Sequence, residues 1–264
     1  MKRVCEKLSY MVLALFVFGF CSNSILALDS IYMTNKNGIE MTEVEYNNLL
    51  NLGFNDNEIQ YMFETEFLAN KDLIGEVVSQ EITNIYDNNF VNPFAMTPGY
   101  ISTAYRTLTT TIVSVNGKYR YKVSMEWQQI PSARSYDVIG IGIDSNVSIY
   151  SDVYFQQNFC YSANNCSSSQ VFTRKITSTG GSATFQLPSA SLVSMNSYMY
   201  FDVQKNTTST ITQLNAYGDY AHATQTVSLN NAINHSINRG GISHANSGLY
   251  DTFTVAKAVW TGSW

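Results

Sequence analysis

The sequence predicts a mainly β protein: an antiparallel β-sandwich or barrel-like domain preceded by a small N-terminal helical segment. Three observations lead there. Asn116-Gly117 joins two β-prone runs, and that dipeptide favours a two-residue type I′ turn because both central residues need positive φ. Beyond residue 92, short alternating runs recur between clusters of Asn, Gly and Ser, with no internal repeat and no parallel βαβ pattern. Between residues 42 and 67, capping signals and helical spacing replace the period of two.

Residues 1–27 read as an export signal. Lys2, Arg3 and Lys7 form a basic head, Met11 to Phe20 is an unbroken apolar run, and Ser22-Asn23-Ser24 breaks it ahead of Ala27. The run is too short to span a bilayer. Cys21 follows Phe20 where a lipid-attachment motif needs a small residue, so the expected product is secreted and not lipid-anchored. Removing the signal takes away three basic residues and one acidic one, moving the formal charge from −5 to −7. With few Lys and Arg and no basic run, nucleic acid and anionic membrane surfaces are poor electrostatic partners. About 237 residues remain, enough for one β-domain with a sizeable core and a small extra element.

Residues 28–91 are expected to form the helical segment. Thr42 and Glu45 have capping-box spacing, and Gly53 stands where a helix takes its left-handed terminal residue, with Phe54 placed to fold back. Asn55 caps a second helix, on which Ile59, Met62, Phe63, Glu66 and Phe67 fall in one stripe. Glu64, Glu66 and Asp72 are expected on a solvent face. Leu73 to Phe90 matches helical spacing at Ile74, Val77, Val78, Ile82 and Ile85 but is rich in β-branched residues; helix is the preferred reading. Asn92 to Gly99, with Pro93 and Pro98, is the expected boundary, and residues 92–264 the sandwich.

The hairpin from Thr107 to Trp127 has a register set by its turn: Val115 opposite Lys118, Ser114 opposite Tyr119, Ile112 opposite Tyr121, Thr110 opposite Val123, Leu108 opposite Met125. Tyr119, Tyr121, Val123, Met125 and Trp127 then share an apolar face with Leu108 and Ile112, while Arg120, Lys122, Ser124 and Glu126 take the other. Further strands are expected at Tyr136–Ile143, Val147–Phe155, Val171–Ile176, Ala183–Leu187, Tyr198–Val203, Ile211–Thr226 and Phe253–Trp260. In the first of these, Gly140 and Gly142 share a face and imply a close neighbour; Trp127 is the expected one. Cys160 and Cys166 close a short loop, and in an exported chain they are expected to form a disulfide.

The segment GIEMTEVEYNNLLNLGFNDNEIQYM, Gly38 to Met62, followed by Asn70-Lys71-Asp72, resembles the N-terminal motif of a group of uncharacterised secreted proteins from low-GC Gram-positive bacteria. The match covers about 35 residues. Arg134-Ser135-Tyr136-Asp137 and Tyr220-Ala221-His222-Ala223 are similar more loosely. The resemblance implies a secreted bacterial protein with a helical piece before a β-rich domain, and it brings no activity, cofactor or catalytic residue.

Few residues point to chemistry. His222, His235 and His244 lie in the C-terminal quarter without metal-site spacing, and Asp219 and His222 fall on opposite faces of an extended segment. There is no Gly-x-Ser-x-Gly elbow, and Ser178-Thr179-Gly180-Gly181-Ser182 and Arg239-Gly240-Gly241 are glycine turns without the strand-to-helix context of a phosphate loop. Glu126 and Asp137, expected on neighbouring strands, are the one carboxylate pair to test as a hydrolase. No catalytic residue, metal ligand or cofactor is assigned. Tyrosines on an exposed strand could stack on sugars or present a flat protein-binding surface, and Tyr150 and Tyr154, with Asp152, are the candidate binding residues. The expected function is a secreted, non-enzymatic β-sandwich protein binding a glycan or protein of a cell envelope or surface. The alternatives are a β-pore-forming protein, in which Leu108–Val115 and Thr207–Thr212 would enter a membrane, and a secreted hydrolase.

Overall fold

A computed structural model describes residues 30–85, 105–251 and 254–264. The expected export signal and the expected boundary at 92–99 lie outside the described residues. The fold is mainly β, built from antiparallel sheets with a small helical unit at the N-terminal end.

That unit opens with a ribbon of β1 (Ile31–Thr34) and β2 (Glu40–Thr42), followed by α1 (Glu43–Asn51), α2 (Asp56–Gln60) and α3 (Glu64–Asn70). Both capping signals form: Thr42 with Glu45, and Asn55 with Glu58, each side chain accepting from the other's backbone amide. Gly53 has φ +80°, and the Phe54 amide reaches back to the Leu49 carbonyl at 3.2 Å, which ends α1. The apolar stripe is broken into two helices near Tyr61, yet Ile59, Met62, Glu66 and Phe67 all stay buried. Asn35 bonds the carbonyls of Ile59 and Met62, tying the ribbon to the helices.

Gly75–Ile85 is a strand, β3, where helix was the preferred reading. It pairs antiparallel with β4 (Arg106–Val115). A helix there would leave the long hydrogen-bonding edge of β4 open, and the β-branched side chains suit the pleat; pairing overrides the spacing. Next comes β5 (Lys118–Trp127), joined to β4 by Asn116 at φ +49° and Gly117 at φ +76°, with every pairing expected from the turn in place.

The remaining strands are β6 (Tyr136–Ile143), β7 (Val147–Ile149), β8 (Tyr154–Ser162), β9 (Asn165–Ser169), β10 (Thr173–Thr177), β11 (Gly180–Gln186), β12 (Ser194–Lys205) and β13 (Gln213–Ala221). After the short helix α4 (Leu229–Ala232) come β14 (His235–Asn238), β15 (Gly241–His244) and β16 (Ala256–Thr261). The expected strand Val147–Phe155 is thus two, separated at Tyr150–Val153. One sheet has the order β3-β4-β5-β12-β8-β9 with β7 also on β12; the second has β10-β11-β6-β13-β16. Their inner faces make the main core: Leu108, Ile112, Tyr121, Val123 and Met125 from one side meet Ile139, Ile141, Phe185, Leu214 and Tyr220 from the other.

Both outer faces are covered as well. The helical unit packs on the seven-stranded sheet, where Leu49, Leu52, Phe54 and Met62 meet Val113, Tyr198 and Tyr200. The pair β14–β15 covers the five-stranded sheet and occupies the glycine face of β6. A Cβ on Gly142 would lie 2.1 Å from the Asn238 carbonyl oxygen, and one on Gly140 would lie 3.2 Å from Ile237 Cδ1. Trp127 is on the other side, in the core, against Tyr105, Tyr220 and His222. The glycines admit a backbone, not an indole.

Candidate functional site

The polar face of β5 is where sequence and structure differ most. Arg120 and Lys122 point outward from the sheet and are buried beneath the helical unit. Lys122 Nζ lies 2.8 Å from both carboxylate oxygens of Glu58 and 2.7 Å from Ser124 Oγ, and the Ser124 hydroxyl donates to Glu58 Oε1 at 2.6 Å. The same Glu58 closes the capping box of α2, so one carboxylate caps the start of a helix and seats it on the sheet. Arg120 donates to Asp202 Oδ1 at 2.7 Å and to Asn70 Oδ1 at 2.6 Å, with its guanidinium 4.3 Å from the Tyr200 ring. These charges satisfy one another, as buried charges must.

Glu66, expected on the solvent face with Glu64 and Asp72, is 1% exposed and accepts from the Tyr198 hydroxyl at 2.6 Å. Burial pushes its carboxyl up to about 8, against the opposing effect of the Tyr198 bond, so it is neutral at pH 7.

Beside this interface the helical unit stops short of the end of β5, leaving a recess of about 330 Å³ between the start of α2 and the outer faces of β4, β5 and β12. Asp56, Asn57, Thr109, Glu126 and Asn196 line it. Asn196 Oδ1 takes a bond from Asn158 at 3.0 Å. No Lys or Arg lines the recess, and the nearest buried ammonium, Lys122, is neutralised by Glu58. The lining suits a hydroxyl-rich or cationic ligand and repels anions.

Most of the groups weighed for catalysis are committed elsewhere. Glu126 and Asp137 are not on neighbouring strands: β5 and β6 belong to different sheets. Glu126 points out of the sandwich, whereas Asp137 is fully buried and accepts from Tyr220 Oη (2.7 Å), His222 Nδ1 (2.9 Å) and the Ala223 amide (2.9 Å). Arg106, also fully buried, stacks its guanidinium near Trp127 and Tyr220 and pairs with Asp251 at 3.0 Å. Asp219 and His222 do point apart: Asp219 accepts the Ile242 amide of β15 on the outer face, and His222 sits against Trp127 in the core. Ser182 Oγ is 2.8 Å from His235 Nε2, and His235 Nδ1 is 2.9 Å from the Ala232 carbonyl, a nucleophile–base arrangement. Ser182 is fully buried under the hairpin, so no substrate reaches it.

The three candidate binding residues separate. Tyr154 is half-buried at the edge of the helical unit, stacked on Tyr200 at 5.0 Å and bonded to Gln156 and Gln170. Tyr150 and Asp152 lie on the link between β7 and β8, both exposed, with Lys118 over the Tyr150 ring at 4.2 Å and Asp152 paired with Arg174. Cys160 and Cys166 form the expected disulfide and bridge paired positions of β8 and β9. Leu108–Val115 lies inside β4, paired on both edges, and Thr207–Thr212 connects β12 to β13 with Ile211 buried in the core. Among the described residues no group of three or more His, Cys, Asp or Glu is placed to hold a metal.

No protein-family model matches the chain, and no curated protein matches it either. Among the solved structures that resemble parts of it are two collagen-binding domains. The collagen-binding domain from a Staphylococcus aureus adhesin aligns with 54% of this chain and 88% of its own, at 8% identity and a TM-score of 0.29. The collagen-binding domain of Erysipelothrix rhusiopathiae surface protein RspB aligns with 56% of this chain and 45% of its own, again at 8% and 0.29. A likeness of this degree carries no functional weight.

Proposed function

We propose that the chain is a secreted, non-enzymatic β-sandwich protein that binds a glycan or protein of a cell envelope or surface. The observation that carries this is the recess beside the helical unit: hydroxyl, amide and carboxylate groups converge at the junction of two structural units, where binding sites concentrate. Of the titratable residues weighed for catalysis, Asp137 and His222 are bonded to each other inside the sandwich, and His235 is held between Ser182 and Ala232. The disulfide supports an oxidising, extracellular setting. The N-terminal resemblance to secreted proteins of Gram-positive bacteria points the same way. A neutral or amine-bearing sugar, or a basic peptide segment, is the ligand chemistry the acidic, hydroxyl-lined recess favours.

The test is retention of the purified chain on cell-wall fractions and on an array of neutral, amino and anionic glycans, with two sets of variants. Glu126→Gln with Asn196→Ala is expected to weaken retention at least tenfold, while Tyr150→Ala leaves it intact. Loss with Tyr150→Ala alone would move the site to the β7–β8 link. Absence of retention on every surface sinks the binding reading.

A further inference from the structure

The pair β14–β15 has no part in the recess, and its chemistry is unlike that of any other element. It rests directly on the backbone of the five-stranded sheet: Asn238 over Gly142, Ile237 over Gly140, with Thr179 Oγ1 donating to the Ile237 carbonyl at 2.6 Å and the Ile242 amide donating to Asp219 at 2.7 Å. At its open end the two histidines face each other. His235 and His244 are paired residues in the ladder, with rings 5.4 Å apart. His235 is held between Ala232 and Ser182. His244 lies flat on the Tyr250 ring at 3.6 Å, and neither of its nitrogens, both shielded from solvent, has a hydrogen-bond partner.

We propose that the β14–β15 hairpin is an acid-released latch on the outer face of the five-stranded sheet, opened by protonation of His244. A proton on His244 sets a cation beside the His235 imidazole and near Lys175, whose ammonium reaches the His235 carbonyl. The carboxylates near by are already engaged. Asp219 holds the Ile242 and Tyr220 amides, Asp137 holds Tyr220, His222 and Ala223, and Asp251 pairs with Arg106. At the hairpin tip Arg239 pairs with Asp144 at 3.8 Å, at the opposite end from the histidines. A charged His244 therefore has no carboxylate and no hydrogen-bond acceptor to answer it, only the face of the Tyr250 ring, and releasing the hairpin to water is its way out.

The direction follows from linkage. Burial pushes His244 down to about 4 from its ordinary 6.5, and His235 and Lys175 push the same way; burial also lowers His235. Between those two values the released hairpin takes up a proton that the docked one refuses. Docking is complete above the ordinary histidine value and weakens as the pH falls towards 4. Each unit of separation is a factor of ten, so the docking equilibrium is expected to move by roughly 10²-fold across that window.

Hydrogen exchange of the full chain, corrected for intrinsic rates, reads this directly. From pH 7.5 to 4.5, protection of residues 235–244 is expected to fall about 10²-fold relative to β5 in the wild type. In His244→Phe, which keeps a flat ring on Tyr250 without a proton site, protection is expected to persist. Asp219 is the rival trigger, since burial raises its carboxyl and protonation would drop the Ile242 bond. Asp219→Asn is therefore expected to retain the acid release. Hairpin protection that tracks β5 at every pH would overturn the proposal, as would release in His244→Phe or loss of release in Asp219→Asn alone. Should His244→Phe misfold, the wild-type imidazole titration by NMR decides: an apparent value well below 6.5 is expected for His244, and an ordinary one ends the idea.

Discussion

The two sheets are both covered on their outer faces, and by opposite means. On the seven-stranded sheet the cover is a helical unit seated on long charged side chains, Arg120 and Lys122, each answered by a carboxylate. On the five-stranded sheet the cover is a hairpin lying on glycines, backbone against backbone. The first interface depends on ion pairs being complete; the second depends on side chains being absent. Substitutions that look mild should therefore have different consequences on the two faces.

The largest effect is expected at Lys122. Lys122→Met leaves Glu58 buried without its cation and should cost about 3–5 kcal/mol in urea unfolding, whereas adding Glu58→Gln should recover part of that loss. Equal stability of the single and double variants would break the comparison, because the helical unit would then not depend on paired charge.

Next comes Glu66, whose sign is opposite to that of a paired carboxylate. Its folded value, about 8, lies above the ordinary 4.5, so the folded state keeps a proton that the unfolded state releases. Stability is unaffected by this group below about pH 4.5, falls as the pH rises towards 8, and levels beyond it. Glu66→Gln keeps an acceptor for Tyr198 and cannot ionise. It should flatten that fall, with a gain over wild type on the order of 2–4 kcal/mol at pH 8.5 that shrinks towards pH 5. Parallel stability curves for the two proteins would show that the carboxyl is solvated.

The smallest global effect is expected at Gly142. Gly142→Ala places a methyl group against the Asn238 carbonyl and should cost about 1–3 kcal/mol, felt as lost exchange protection in residues 235–244 while the helical unit is untouched. An unchanged hairpin would mean that the cover on this face is loose. These two last variants sharpen the contrast from either side: one removes a charge problem, the other adds a volume problem.

The parts of the fold that were legible share a short range. The Asn116-Gly117 turn and the alternation of β5 set five pairings that are all in place, and the Thr42–Glu45 box and the Asn55 cap form where the sequence puts them. The disulfide between Cys160 and Cys166 is equally local, six residues apart. Of the residues lining the recess, the sequence marks Glu126 for a different chemistry, Asn55 as a helix cap and Ser124 only as a polar-face position. Asp56, Thr109 and Asn196 carry no signal in a chain rich in polar residues, because they meet only when α2, β4, β5 and β12 are assembled.

The remainder was settled by which segment came to lie on which face. Arg120, Lys122 and Glu66 look like solvated charges because alternation and helical spacing say which side a residue faces, not what lies beyond it. Glu58 sits 64 positions from Lys122, and Tyr198 sits 132 from Glu66. Gly140 and Gly142 announced a close neighbour, but an indole and a backbone leave the same mark on a sequence. Gly75–Ile85 became a strand because β4 offered an edge. Turn geometry, caps and period act through bonds and contacts a few residues apart, so they can be read along the chain. Burial of an outer face depends on a partner distant in sequence, and only the assembled tertiary structure supplies it.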